Sequence, residues 1–278
     1  RCDWNPHDAN LVATGSSEKA AFILSFNAAK ELSVYKRIKH PDVVFGVAWS
    51  RVSRDVIATA CQDGNVRIFD IANPSDNPMQ LFRGHEDKVF NVVFNPTIPN
   101  LLASTSDDNT IRVWNLKDSS CTVLEGHSSN TRAVVWNSEV PWMLMSGSWD
   151  STIKLWDMRT RNCISTISDH HADIYGLASH SDRPFIYVSC SRDTSMRVWS
   201  LEDLLADQQL RILVNDNWTD TISSIDICLA EETKLLFCGK VTKELSDDFM
   251  LGRVSSDVDK YRKFFDFFGL HFGLEDLW

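Results

Sequence analysis

Residue types that together can do nucleophilic and acid–base chemistry recur in this chain at a fixed spacing. A histidine stands 23 residues before an aspartate at His40 and Asp63, His85 and Asp108, His127 and Asp150, and His170 and Asp193. Four residues before each aspartate is a small hydroxyl, Thr59, Ser104, Ser146 or Ser189, and six residues after it a large aromatic, Phe69, Trp114, Trp156 or Trp199. A single Ser, His and Asp could be a nucleophile, its base and the group that orients the base. Repeated four times, they read instead as buried polar groups that satisfy one another. Losing one member would strand the others, at roughly 1–3 kcal/mol per unsatisfied group.

Other chemistry finds no support. There is no Gly-rich phosphate loop, no nucleophile elbow and no metal-ligand spacing. His170, His171 and His180 cluster in sequence, but no Cys or carboxylate pattern completes a metal site around them. The seven cysteines form no close-spaced pair, so they read as reduced, mostly structural thiols. No catalytic residue, cofactor or metal is therefore expected. A net charge of −10 disfavours nucleic acid, whose binding leaves a basic footprint. Without a long apolar run or a basic-then-apolar leader, neither membrane insertion nor secretion is supported, and the expected location is the cell interior, with the cytoplasm as default. In that setting the Asn217-Trp218-Thr219 sequon carries no weight.

The elements that must position these residues are strands. The units start 45, 42 and 43 residues apart, so the length variation falls in one loop per unit. Val43–Trp49, Val89–Phe94, Arg132–Trp136 and Ile174–Ala178 are short β-branched and aromatic runs that suit a buried inner strand. A second strand carries the hydroxyl. Turn chemistry at Asp63-Gly64, Asp108-Asn109 and Asp150-Ser151 predicts a tight hairpin into a third strand, at Val66–Phe69, Ile111–Trp114, Ile153–Trp156 and Met196–Trp199. A more polar fourth strand, such as Ser120–Leu124 or Cys163–Ile167, completes the unit. A fifth frame fits at the start of the chain, with Trp4, Thr14 and Glu18 in the equivalent slots.

A period near 40 to 45 residues with Gly-His early and Trp-Asp late resembles the WD40 repeat family. The match is literal at Gly84-His85, Gly126-His127 and Trp156-Asp157, and softened at Lys39-His40, Asp169-His170, Phe69-Asp70, Trp114-Asn115 and Trp199-Ser200. The resemblance implies an all-β fold: a partial WD40 β-propeller of about five blades plus a degenerate sixth unit. In it, His40, Thr59 and Asp63, then His85, Ser104, Asp108 and Trp114, then His127, Ser146, Asp150 and Trp156, then His170, Ser189, Asp193 and Trp199 would be the structural tetrads.

On this reading residues 1–200 hold the blades, the first incomplete at its N-terminus, and 201–240 form a degenerate blade or connector. Ile222–Cys228 and Leu235–Gly239 would be two of its strands, with Thr219 and Thr242 in the His and Asp slots. Residues 241–278 are expected to be a short helical segment. There Val258, Tyr261, Phe264, Phe265 and Phe268 recur at helical spacing behind an N-cap at Ser256. The order of features resembles a longer WD-repeat chain of two propellers and a helical region, which implies a fragment lacking about two blades of a seven-bladed ring.

The resemblance also implies function: a non-enzymatic protein-interaction scaffold with an unnamed protein partner. The family pattern places the partner-binding rim five residues after each His and one before each Asp. Those positions hold Phe45, Phe90, Arg132 and Tyr175, and Gln62, Asp107, Trp149 and Arg192. Aromatics and arginine are the types enriched at binding hot spots. Leu144–Arg159, ending Trp156-Asp157-Met158-Arg159, resembles the WDxR box by which some WD40 substrate receptors dock on the adaptor of a cullin-type ubiquitin ligase. Asp157 and Arg159 would be the adaptor contacts.

Overall fold

The computed structural model describes residues 1–27, 32–179, 186–200, 211–217, 222–227, 235–239 and 250–251, from Ser200 onward by backbone alone. Among the described residues every regular element is a strand. The chain packs as two compact units, Arg1–Asp169 and His170–Trp278.

The first unit holds four sheets, each of four antiparallel strands in sequential order. Blade I is β1 (Cys2–Trp4), β2 (Leu11–Ser16), β3 (Ala20–Phe26) and β4 (Leu32–Lys39). Blade II is β5 (Val44–Trp49), β6 (Val56–Cys61), β7 (Val66–Asp70) and β8 (Gln80–Phe82). Blade III is β9 (Val89–Phe94), β10 (Leu101–Ser106), β11 (Ile111–Asn115) and β12 (Cys121–Leu124). Blade IV is β13 (Thr131–Trp136), β14 (Met143–Ser148), β15 (Ile153–Asp157) and β16 (Asn162–Ile167). Blade I, expected to be incomplete at its N-terminus, has four strands. Its first strand is short, at 3 residues.

Central strands are buried on both faces, which explains runs such as Val56–Cys61 that are apolar or small without alternation. Outer strands alternate: in β12, Leu124 is buried and Val123 exposed. Blades I and II meet through Ala13, Ala21, Ile23 and Ile38 on the leading blade and Val47, Trp49, Ile57 and Phe69 on the following one. The same repeat positions meet between II and III, where Val66, Ile68 and Phe82 face Phe94, Leu102 and Trp114. They meet again between III and IV, where Ile111, Val113 and Leu124 face Trp136, Leu144 and Trp156. Each valine, leucine, isoleucine or phenylalanine among them contributes about 1.5–3 kcal/mol by leaving water.

Polar bonds cross these layers as well. The Trp49 indole donates to the carbonyl of Asp3 at 3.0 Å, and that of Trp136 to the carbonyl of Val93 at 3.4 Å. At each hairpin between second and third strands, the residue after the Asp position is left-handed: Lys19 (φ 56), Gly64 (φ 78), Asn109 (φ 67), Ser151 (φ 66) and, in the second unit, Thr194 (φ 65).

The second unit contains one four-stranded sheet, β17 (Ile174–Ser179), β18 (Ile186–Ser191), β19 (Ser195–Ser200) and β20 (Arg211–Asn217). A three-stranded sheet follows, of β21 (Ile222–Ile227), β22 (Leu235–Gly239) and β23 (Met250–Leu251). Met250–Leu251 lies where the sequence suggested helix. Two residues paired to Cys238 and Gly239 are too few to show a strand period. The expected helix at 257–268, its cap Ser256, and Thr219, Thr242 and Cys228 lie outside the described residues.

Candidate functional site

The hydroxyls of the second strand sit directly beside the third-strand aromatic and the histidine of the preceding loop. In blade III, Trp114 Nε1–H donates to Ser104 Oγ at 2.8 Å, and Ser104 Oγ lies 2.8 Å from His85 Nε2. His85 Nδ1 is 2.8 Å from Asp108 Oδ2. Blade IV repeats this from Trp156 through Ser146 and His127 to Asp150, each step 2.8 Å. In the second unit Trp199, Ser189, His170 and Asp193 are joined at 2.8, 2.7 and 2.9 Å.

The indole can only donate, so each serine accepts from it and turns its own proton to Nε2. That fixes the neutral Nδ1–H tautomer, which donates to the carboxylate. Histidine, not aspartate, is the middle of the chain. Each serine gives its one proton to the imidazole and is fully buried, so it presents no open face to a substrate.

Each carboxylate collects more donors. Asp108 also accepts from the backbone N–H of Glu86 at 3.1 Å and the Thr110 hydroxyl at 2.7 Å. Thr152 and Ser195 do the same for Asp150 and Asp193, both at 2.6 Å. Burial alone would raise these carboxyls. In Asp108 and Asp150 the histidine bond and in Asp193 the Ser195 hydroxyl lead the contributions that outweigh it and hold them well below the usual carboxylate range. Burial pushes His85 below its ordinary value despite Asp108.

Blade II departs from the pattern, and Asp63 is not a tetrad member. Its carboxylate instead pairs with Arg67, Nη1 to Oδ1 at 3.1 Å and Nη2 to Oδ2 at 2.5 Å. His40 keeps Thr59 at 2.9 Å on Nε2, but its Nδ1–H donates to the carbonyl of Ile38 at 3.0 Å. Two substitutions remove donors from this carboxylate. Pro41 lacks the N–H that Glu86, Ser128 and His171 give their aspartates. Asn65 replaces the hydroxyl of Thr110. Phe69 separately leaves Thr59 without the indole donor that the serines have. All three are visible in the sequence, and Lys39-His40-Pro41 is the signal that could have found the exchange.

Sequence reasoning also missed the residues that close the loops between first and second strands. Asn5, Ser50, Asn95 and Asn137 directly follow the aromatic that ends each inner strand. Their side chains accept loop N–H groups, Asn95 from Ile98 at 2.7 Å and Asn137 from Val140 at 2.7 Å.

Of the expected rim residues, the first unit holds Phe45, Gln62, Phe90, Asp107, Arg132 and Trp149, all half-buried. Four of them form one column. Phe45 and Phe90 stack with ring centroids 4.3 Å apart, and the Arg132 guanidinium lies 3.2 Å from the Phe90 centroid and 4.0 Å from that of Trp149. Arg132 Nη2 is 3.0 Å from Asp107 Oδ1. Burial pushes the Asp107 carboxyl up in spite of Arg132. In the second unit Tyr175 is half-buried, and the exposed Arg192 lies 3.4 Å from Asp173. At the opposite end of blade IV, Asp157 receives Arg159 Nε at 3.0 Å and Nη2 at 2.6 Å, while the guanidinium lies 4.5 Å from the Trp142 ring centroid.

Comparison with known proteins agrees with this geometry. The WD domain, G-beta repeat family (WD40) matches residues 32–70, 76–115, 118–157 and 161–200, more than half of the chain. The first three matches each begin at or a few residues before the outer strand of one blade and end on the third strand of the next. Nucleoporin Nup37 of Mus musculus is 30% identical over 133 residues, 41% of this chain and 41% of that protein. Histone acetyltransferase type B subunit 2 of Gibberella zeae is 34% identical over 98 residues, 32% of this chain and 23% of that protein. The Denticleless protein homolog of Danio rerio is 44% identical over 69 residues, 24% of this chain and 10% of that protein. The chain spans less than half the length of these relatives.

Proposed function

The chain belongs to the WD40 repeat family, and from that premise we propose that it is a non-enzymatic protein-interaction scaffold whose working surface in the first unit is the rim column of Phe45, Phe90, Arg132 and Trp149. The observation that carries this reading is the column itself, with Arg132 wedged between two aromatic rings and neutralised by Asp107. Side chains held this way lose little freedom when a partner arrives, so more of the contact energy appears as affinity. Aromatics and arginine are also the residues whose truncation costs most at interfaces. The hydroxyl, imidazole and carboxylate groups that could have suggested catalysis are spent on one another. The test is capture of partners from a cell extract by the chain and by Trp149→Ala, with mass spectrometry of what is retained. Loss of a defined set of proteins by the variant supports the rim; an identical set removes it.

A second reading, docking on a cullin-ligase adaptor through Asp157 and Arg159, is favoured by one observation. The Arg159 side chain is 62% exposed yet held in a planar fork against Asp157 and over Trp142. In the same capture experiment Arg159→Ala should lose the adaptor while Trp149→Ala retains it.

A further inference from the structure

Threonines stand in the layer between blades III and IV at slots that are apolar elsewhere. Four residues after each repeat histidine come Val44, Val89, Thr131 and Ile174, and three residues before each repeat aspartate come Ala60, Thr105, Gly147 and Cys190. The two slots face each other from neighbouring blades. At the junction of blades I and II, a Cβ on Gly15 would lie 3.1 Å from Val44 Cγ1, and at the next junction Ala60 and Val89 share one core. Between blades III and IV the same pair is Thr105 and Thr131. Both are fully buried, and neither Oγ1 has a hydrogen-bond partner among the described residues. A third polar group stands with them. Asn91 is paired with Thr105 across β9 and β10, so the two side chains leave the same side of the sheet, and Asn91 Nδ2 donates to the Val134 carbonyl of blade IV at 3.4 Å. The equivalent residue of blade II is Gly46, where a Cβ would stand 2.8 Å from the Phe90 carbonyl oxygen of the next blade. The backbone contact that joins blades II and III at this level is thus replaced between III and IV by an amide.

We propose that Asn91, Thr105 and Thr131 bind an internal water molecule between blades III and IV. Two buried hydroxyls without partners are a cost that valine, alanine and glycine avoid in the same slots of the other blades. Three polar groups are the number that a buried water usually engages. Each hydroxyl can donate to it or accept from it, and the second N–H of the Asn91 amide can donate. The site admits no large ligand, because Asn91 is 3% exposed and both threonines 0%. Its place also matters for the rim. Phe90 precedes Asn91 and Arg132 follows Thr131, so the water joins the two strands whose side chains meet in the column, where the Arg132 guanidinium lies 3.2 Å from the Phe90 centroid.

The test uses the 278-residue chain and two replacements of nearly equal shape, Thr105→Val and Thr131→Val, which remove only the hydroxyls. A crystal structure at a resolution that shows ordered water should place one within hydrogen-bond distance of both Oγ1 atoms. In solution, oxygen-17 relaxation dispersion counts long-lived internal waters, and the double variant should hold one fewer than the parent. Each single variant should lower the melting temperature by about 2–4 °C, and the double variant by less than the sum, because both hydroxyls act through one water. Density in which the hydroxyls bond to each other or to backbone with no water between them overturns the proposal, and so does an unchanged water count. A raised melting temperature for Thr131→Val does the same, since valine then only removes an unpaired hydroxyl from an apolar layer. Should a variant fail to fold, the crystallographic water position in the parent chain decides alone.

Discussion

Removing one atom set from a tetrad separates its geometric role from its chemistry. Asp150 is the acceptor for His127 Nδ1–H, the backbone N–H of Ser128 and the Thr152 hydroxyl. In Asp150→Ala the imidazole, whose side chain is 1% exposed, keeps a donor whose remaining neighbour is the Thr152 hydroxyl at 3.4 Å, and the expected loss is about 2–4 kcal/mol. Asp150→Asn retains an acceptor oxygen and should lose less. Chemical unfolding of the three proteins measures both, and a loss under about 0.5 kcal/mol for the alanine variant, the size of an ordinary surface change, would show the network to be dispensable. Most of this network was legible from spacing alone, because residues fixed in register across a hairpin must meet. Asp63 was misassigned for an equally local reason: whether a carboxylate turns toward histidine or arginine depends on the donors at positions 41 and 65. The 23-residue interval does not encode those.

Blade hairpins show how an element accepts a poor residue for the sake of its register. The position after the tetrad aspartate must be left-handed whatever occupies it, and only blade II has glycine there. Thr194 is β-branched, with φ 65, a conformation costing an L-residue roughly 1–2 kcal/mol. It is held there by Asp193, whose Oδ1 accepts from the Ser195 N–H at 2.9 Å and its hydroxyl at 2.6 Å. Glycine gives back part of the relief through unfolded-chain entropy, so Thr194→Gly should stabilise by about 0.5–1 kcal/mol, read as a raised unfolding midpoint. A lowered midpoint would mean that the threonine side chain contributes more than its backbone costs. Strand limits were readable to within a residue or two, since period and turn are local properties. The state of the rim was not. Gln62, Asp107 and Arg192, which share the slot of Trp149, all suit solvent, but the Trp149 ring lies on Arg132 of its own blade, which in turn lies on Phe90 of another.

In a repeat array stability is a sum of units and of the layers between neighbours, so damage should travel one blade and then fade. Leu102 allows this to be measured in the first unit, because it is fully buried on β10 of blade III and packs in the layer with Ile68 and Phe82 of blade II. Leu102→Ala opens a cavity there and should cost about 2–5 kcal/mol. Hydrogen exchange followed by mass spectrometry should then show faster exchange in β10 and also in β7 of blade II, with a smaller change in β2 of blade I. Val123→Ala, on the exposed side of β12 in the same blade, should leave all three unchanged. Faster exchange confined to blade III would mean that blades are independent domains joined by linkers. Equal acceleration across the whole unit would mean that the four blades open together. The one-blade gradient between those limits is what the shared layers require, because Leu102 belongs by sequence to one repeat and by packing to two.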